Sequence, residues 1–174
     1  MNTKDLIIEK EEIVEWLKLI GSTPNDVNNV GEDSLWHLEF DYPVNTPQRM
    51  HVICPGNKPH QIVIANALNI SSNHIQAFNE MPTNEKREFL YRLKFEISDS
   101  NFDFKLEGAR DELDCPKAIQ FSKTKYADGL TLDSFANGIG MVFKSKIKTI
   151  FFVNLNLQEP DSNGNKFDFK TIQN

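Results

Sequence analysis

From Ser34 to Tyr42 the chain alternates, with Leu35, His37, Glu39 and Asp41 on one side and Trp36, Leu38, Phe40 and Tyr42 on the other. A period of two places those sets on opposite faces of a half-buried strand. Pro43 and Pro47 bracket a hairpin-like loop, and Arg49 to Cys54 reads as a second strand. Pro55-Gly56-Asn57-Lys58-Pro59 makes another tight connection, followed by a third strand from His60 to about Leu68. Three consecutive strands with short links read as an antiparallel meander.

Helical periodicity flanks this meander. Asp5 to Ile20 carries Ile13, Trp16, Leu17 and Ile20 on one face and four glutamates on the other, and Gly21 stops it. Thr23 to Asp33 is a turn-rich connection. Ser71 or Ser72 caps a short helix that Pro82 interrupts, and Thr83 caps a longer one to about Ser98, with Phe89, Leu93 and Ile97 four apart. Phe102, Phe104 and Leu106 alternate in a strand whose mate is Lys117 to Tyr126, with Ile119 and Phe121 facing in and Lys123 and Lys125 facing out. A last helix starts at Thr131; its end is open, because β-branched Ile147 to Ile150 and the Phe-Phe-Val after it also suit a strand. The order α-β-β-β-α-β-β-α, without strict βαβ alternation, predicts an α+β fold with an antiparallel sheet. At 174 residues the chain suits one domain, residues 1–157, followed by a polar tail, residues 158–174.

The net charge of -6 argues against a general nucleic-acid or anionic-membrane binder. No apolar run approaches the roughly 20 residues that span a bilayer, and the N-terminus lacks the pattern of a signal peptide, so the expectation is cytoplasmic. Asn69-Ile70-Ser71 matches a glycosylation acceptor, which means little without a secretory signal. Cys54 and Cys115 have no metal-type spacing; two reduced, partly buried thiols fit better than a bridge between them, which stays open.

His37, His51, His60 and His74 raise the question of a metal site. His37 and His51 lie cross-strand if the first hairpin has the right register, and His60 can join them, but no HxH, HExxH or CxxC spacing supports the set. His51 and Cys54, three apart on a strand, point to opposite faces. The carboxylates of Asp111, Glu112 and Asp114 read as a solvated connection, and Asp133 as a helix-dipole partner. Gly138 and Gly140 lie inside the last helix and form no phosphate cradle; they suggest a close crossing there. No cofactor, metal or catalytic residue is expected. The segment from Lys117 to Leu157 holds six lysines against Asp128 and Asp133, a solvated basic face or one that suits an acidic partner. The alternating tail around Phe167 and Phe169 suits a sheet edge, its own or a partner's.

Lys125-Tyr126-Ala127-Asp128-Gly129-Leu130-Thr131-Leu132-Asp133-Ser134-Phe135 resembles the segment where the last strand turns into the final helix in several small uncharacterised prokaryotic families. Together with the element order, it is similar to the type III secretion chaperone-like fold, which a sensory-transduction regulator family shares. The resemblance implies that Tyr126 ends the strand, Asp128 and Gly129 turn, Thr131 caps and Phe135 enters the core. It also implies a homodimeric protein-binding scaffold without catalytic residues. The expectation is therefore a non-catalytic dimer that engages a protein partner, with Trp36, Phe102, Phe104, Phe167 and Phe169 as candidate contact residues. The alternatives are a small metal-dependent hydrolase on a His37/His51/His60 face and a small-ligand sensor with a pocket between sheet and helices.

Overall fold

The computed structural model describes residues 7–28, 33–98 and 101–157. In chain order its elements are α1 (Lys10–Leu19), β1 (Asn25–Asp26), β2 (Ser34–Asp41), β3 (Arg49–Pro55), β4 (Gln61–Asn69), α2 (Ser72–Glu80), α3 (Thr83–Ile97), β5 (Asp103–Glu107), β6 (Ala118–Tyr126) and α4 (Leu132–Asn156). The fold is α+β, with one six-stranded antiparallel sheet in the order β1-β2-β3-β4-β6-β5. The expected meander is β2-β3-β4.

Several boundaries differ from the sequence expectation. The first helix starts at Lys10, because the preceding segment is held in place by the Ile8 amide, which donates to the Pro59 carbonyl. The turn-rich loop contains the two-residue β1, which pairs with Leu38 and Glu39 on the outer edge of β2. Between β4 and β5 the chain forms the two expected helices, separated by Pro82, but Pro82 itself, extended at φ -57° and ψ 151°, stands at the N-cap of the second, and Thr83 is its first residue rather than its cap. The last helix runs unbroken through the stretch that also suited a strand, because Thr149, Ile150, Phe152 and Val153 are buried there and tertiary burial outweighs the weaker helix preference of β-branched residues. The tail from residue 158, with Phe167 and Phe169, lies outside the described residues.

A single core forms between one sheet face and the helices. Leu38 and Phe40 of β2, Met50, Val52 and Cys54 of β3, Ile62 and Ile64 of β4, and Ile119 and Phe121 of β6 are buried, in alternation along each strand. Ile13 and Leu17 of α1, Phe78 of α2, Phe89 and Leu93 of α3, and Phe135, Ile139 and Val142 of α4 meet them. Each such side chain contributes about 1.5–3 kcal/mol by leaving water.

Lys123 and Lys125 face the helices rather than solvent. Period two puts residues 119, 121, 123 and 125 on one side of β6, and Lys123 and Lys125 pair in register with buried Ile64 and Ile62. Their stems line the core margin below α4, where a Cβ on Gly138 would lie 3.1 Å from Cε of Lys125. The close crossing expected of the helix glycines is therefore made at Gly138 by the chain's own sheet.

Candidate functional site

The β2–β3 register sets Glu39 opposite His51 and His37 opposite Ile53, so the two histidines are diagonal neighbours on the sheet face away from the helices. Nε2 of His37 lies 3.0 Å from Nδ1 of His51, and the rings meet edge-on with centroids 5.0 Å apart. One nitrogen donates and the other accepts, so the contact needs at least one neutral ring. Burial lowers the pKa of both histidines; for His51 the neighbouring His37 lowers it further, while Glu39 partly offsets the effect on each. Arg49 also lowers His51, and it reaches Glu39 at 3.3 Å.

This pair gives stability a definite pH dependence. The unfolded chain takes up protons below the ordinary histidine value of 6.5, whereas the folded chain, with its lower pKa values, takes them up later. Stability is therefore fully present above about pH 6.5 and falls on acidification through that value. Urea unfolding is expected to give a lower free energy at about pH 5.5 than at about pH 7.5, with a flatter profile in the His37→Gln/His51→Gln variant. Equal slopes in the two proteins would remove the pair as the cause.

His60 does not join them. Its ring stacks on Tyr126, centroids 6.3 Å apart, beyond the start of β4, while His51 pairs with Ala65 further along that strand. Among the described residues no group of three or more His, Cys, Asp or Glu side chains could hold a metal. The expected opposition of His51 and Cys54 holds: Cys54 lies in the core. Cys54 and Cys115 are free and buried, and burial raises both thiols, Cys115 to about 11.

Around the histidine pair the outward side chains form rows fixed by the register. His37, Ile53, Val63 and Thr124 make one row; Glu39, His51, Ala65, Ser122 and Asp103 make the next. The first row carries no acid or base other than the histidine, and in the second the formal charges sit at the two ends. Ile53, Val63 and Ala65 are half-exposed and stand outside the core cluster.

The motif at the end of β6 is structural. Tyr126 ends the strand, Ala127–Gly129 form a 3-10 turn, and the Thr131 hydroxyl accepts from the Ser134 amide at 3.2 Å while Ser134 Oγ accepts from the Thr131 amide at 3.0 Å. That capping box is worth about 1 kcal/mol and directs Phe135 into the core. Trp36, Phe102 and Phe104 are partly buried against the core: the Trp36 indole donates to the Ile8 carbonyl at 3.3 Å, and Phe102 packs on Phe121 with ring centroids 6.1 Å apart. Asp114 accepts from the amides of Arg110 and Asp111, which makes its carboxylate a turn-former. A groove of about 410 Å³ opens between α1 and the β1–β2 edge, lined by Lys10, Glu15, Lys18, Asp26 and Leu38 among others.

Besides scattered exposed groups such as Leu19 and Leu35, four large apolar side chains are exposed on adjoining helices. Tyr91 and Phe95 on α3 are 72% and 73% exposed, and Phe151 and Leu155 on α4 are 44% and 58% exposed. Both are i, i+4 pairs. The sequence reading missed them, although the Phe89–Leu93–Ile97 stripe already assigns Tyr91 and Phe95 to the opposite side of their helix.

A model of a conserved protein family, described as uncharacterized and designated DUF2299, matches residues 9–153. The chain belongs to the DUF2299 family. The match runs from the start of α1 into the last turn of α4, so the histidine pair, the open sheet face and the Thr131 cap all lie inside it. A crystal structure of an uncharacterized protein from Methanothermobacter thermautotrophicus superposes with a TM-score of 0.77 at 23% identity, over 86% of this chain and 99% of that one. That likeness is one of fold. No curated protein matches the chain. Among the described residues no helix is long and apolar enough to cross a membrane.

Proposed function

We propose that this member of the DUF2299 family is a non-catalytic protein-binding module that works as a homodimer in a regulatory or chaperone-like role. The order read from the sequence, α-β-β-β-α-β-β-α, resembles that of type III secretion chaperone-like domains, which supports the reading, and the structure adds to it the short β1 and a second helix before β5. One observation carries it: the sheet face opposite the helices, with small, neutral side chains across its middle. A second copy is the occupant this face fits. Two flat sheets stack about 10 Å apart with their side chains interleaved. Four strands at about 4.8 Å spacing and seven residues at about 3.4 Å each give roughly 450 Å² of plane, which side-chain relief brings toward the ~800 Å² per partner of a standard interface. Each margin carries both signs, Glu39 with Arg49 on one side and Asp103 with Lys105 on the other, so a stacked copy meets no margin of a single charge.

Sedimentation equilibrium of the full chain tests this. The expected result is a dimer that becomes a monomer in Val63→Glu, which sets an unpaired carboxylate in the middle of the face. Val63 is half-exposed, so the variant keeps its fold, checked by circular dichroism. A monomeric parent at well above micromolar concentration would overturn self-association; a dimer that survives Val63→Glu would overturn the face.

A further inference from the structure

The outer surface of the helical layer is the opposite of the sheet face: aromatic, exposed and basic. α3 and α4 run antiparallel and touch along a seam. Phe89 packs on Phe152 with ring centroids 5.4 Å apart, the Arg92 guanidinium sits 5.9 Å over the same ring, and Lys148 reaches both the carbonyl and the carboxylate of Glu96 at 2.9 and 3.0 Å. Tyr91 and Phe95 stand on the solvent side of Arg92 and Glu96, and Phe151 and Leu155 flank Phe152 on α4. Four large apolar groups thus rim one two-helix surface. Scattered single residues of this kind are ordinary, but two i, i+4 pairs on adjoining helices make a patch, and exposed Tyr and Phe are typical interface anchors.

Charge chooses the occupant. Arg92, Lys94 and Lys144 are exposed beside the patch, with Arg87 one turn before Tyr91. Glu96 is already held by Lys148, which leaves Glu85 and Glu88 as the exposed acids of α3 against the four exposed bases. The surface is locally basic in a chain of net charge -6. We infer that the α3–α4 surface binds an acidic amphipathic helix from a protein partner, lying along the groove between the two helices. Its apolar side chains pack among Tyr91, Phe95, Phe151 and Leu155, and its carboxylates meet the flanking bases. The inference rests on the protein-binding reading but uses a surface distinct from the proposed dimer face.

The test is fluorescence anisotropy with the full chain and a labelled peptide carrying Leu at a, d and e of each heptad and Glu elsewhere, against a counterpart with Lys for Glu. The acidic peptide is expected to bind, and to bind about tenfold or more weakly to Tyr91→Ser/Phe95→Ser, whose exposed positions leave folding intact. It should weaken as salt rises, and the basic peptide should bind at least about tenfold more weakly than the acidic one. Val63→Glu should bind the acidic peptide as the parent does, so loss of the dimer and loss of this site are separate results. Equal binding of both peptides, or no effect of Tyr91→Ser/Phe95→Ser, overturns the inference. So does binding to phosphatidylglycerol vesicles in place of the acidic peptide, or a double variant that changes self-association alone.

Discussion

Phe135→Ala is expected to lower folding stability by about 3–5 kcal/mol, a large share of the total stability of a domain this size. Phe135 is fully buried in the first turn of α4, and its ring lies 5.7 Å from that of Trp16 on α1. Truncation removes the ring contact between the first and last helices and leaves a cavity in the core. For a chain of this size each kcal/mol corresponds to roughly 2–4 °C in Tm. Urea unfolding and calorimetry should agree on the loss. Phe135→Leu, which keeps most of the volume, should cost about 1 kcal/mol. A cost below about 1 kcal/mol for the alanine variant would mean that α4 is held by other contacts.

The second large effect is expected at Gly138. Here α4 crosses the sheet so closely that an added Cβ would stand 2.7 Å from Cδ1 of Ile64, a fully buried side chain that would have to shift within the packed core. Gly138→Val should therefore destabilise by about 2–3 kcal/mol, although valine is the better helix former. Gly140, two residues on, would meet nothing within 4 Å, and Gly140→Ala should stabilise by roughly 0.5–1 kcal/mol by stiffening the unfolded chain and the helix. Opposite signs at two glycines in one helix are the signature; a neutral Gly138→Val would mean that Ile64 yields to the added side chain or that the helix stands farther from the sheet.

Much of this architecture is legible in the residues. The alternation at Ser34–Tyr42, the proline-bounded links, the Ser71 and Thr131 caps and the stop at Gly21, which adopts φ +87°, all act locally and leave local marks. What the chain hides depends on partners far away in sequence. The insertion of β6 between β4 and β5 is a matter of sheet order, which no local pattern encodes. The inward turn of Lys123 and Lys125 follows from period two alone, but lysine is so often exposed that the residue type masks the position. A long aliphatic stem lying on the core margin resolves the conflict. The histidine contact is conditional on register: a slip of one residue would send His37 and His51 to opposite faces. The α3–α4 patch is visible as spacing, yet its meaning depends on which side of each helix the sheet takes.

The strand order also governs how the chain assembles in time. β2, β3 and β4 are joined by short links and can pair as soon as they are made, whereas Asn69 meets Ala118 only after α2, α3 and β5 have been placed. Closing that long loop loses chain entropy before the β4–β6 ladder returns any hydrogen bonds. The meander is thus the expected template, and the arrival of β6 on its open edge is the step expected to be slow. Until then the inner edge of β4 stands unpaired, the moment at which the newly made chain is most exposed to pairing with a neighbour.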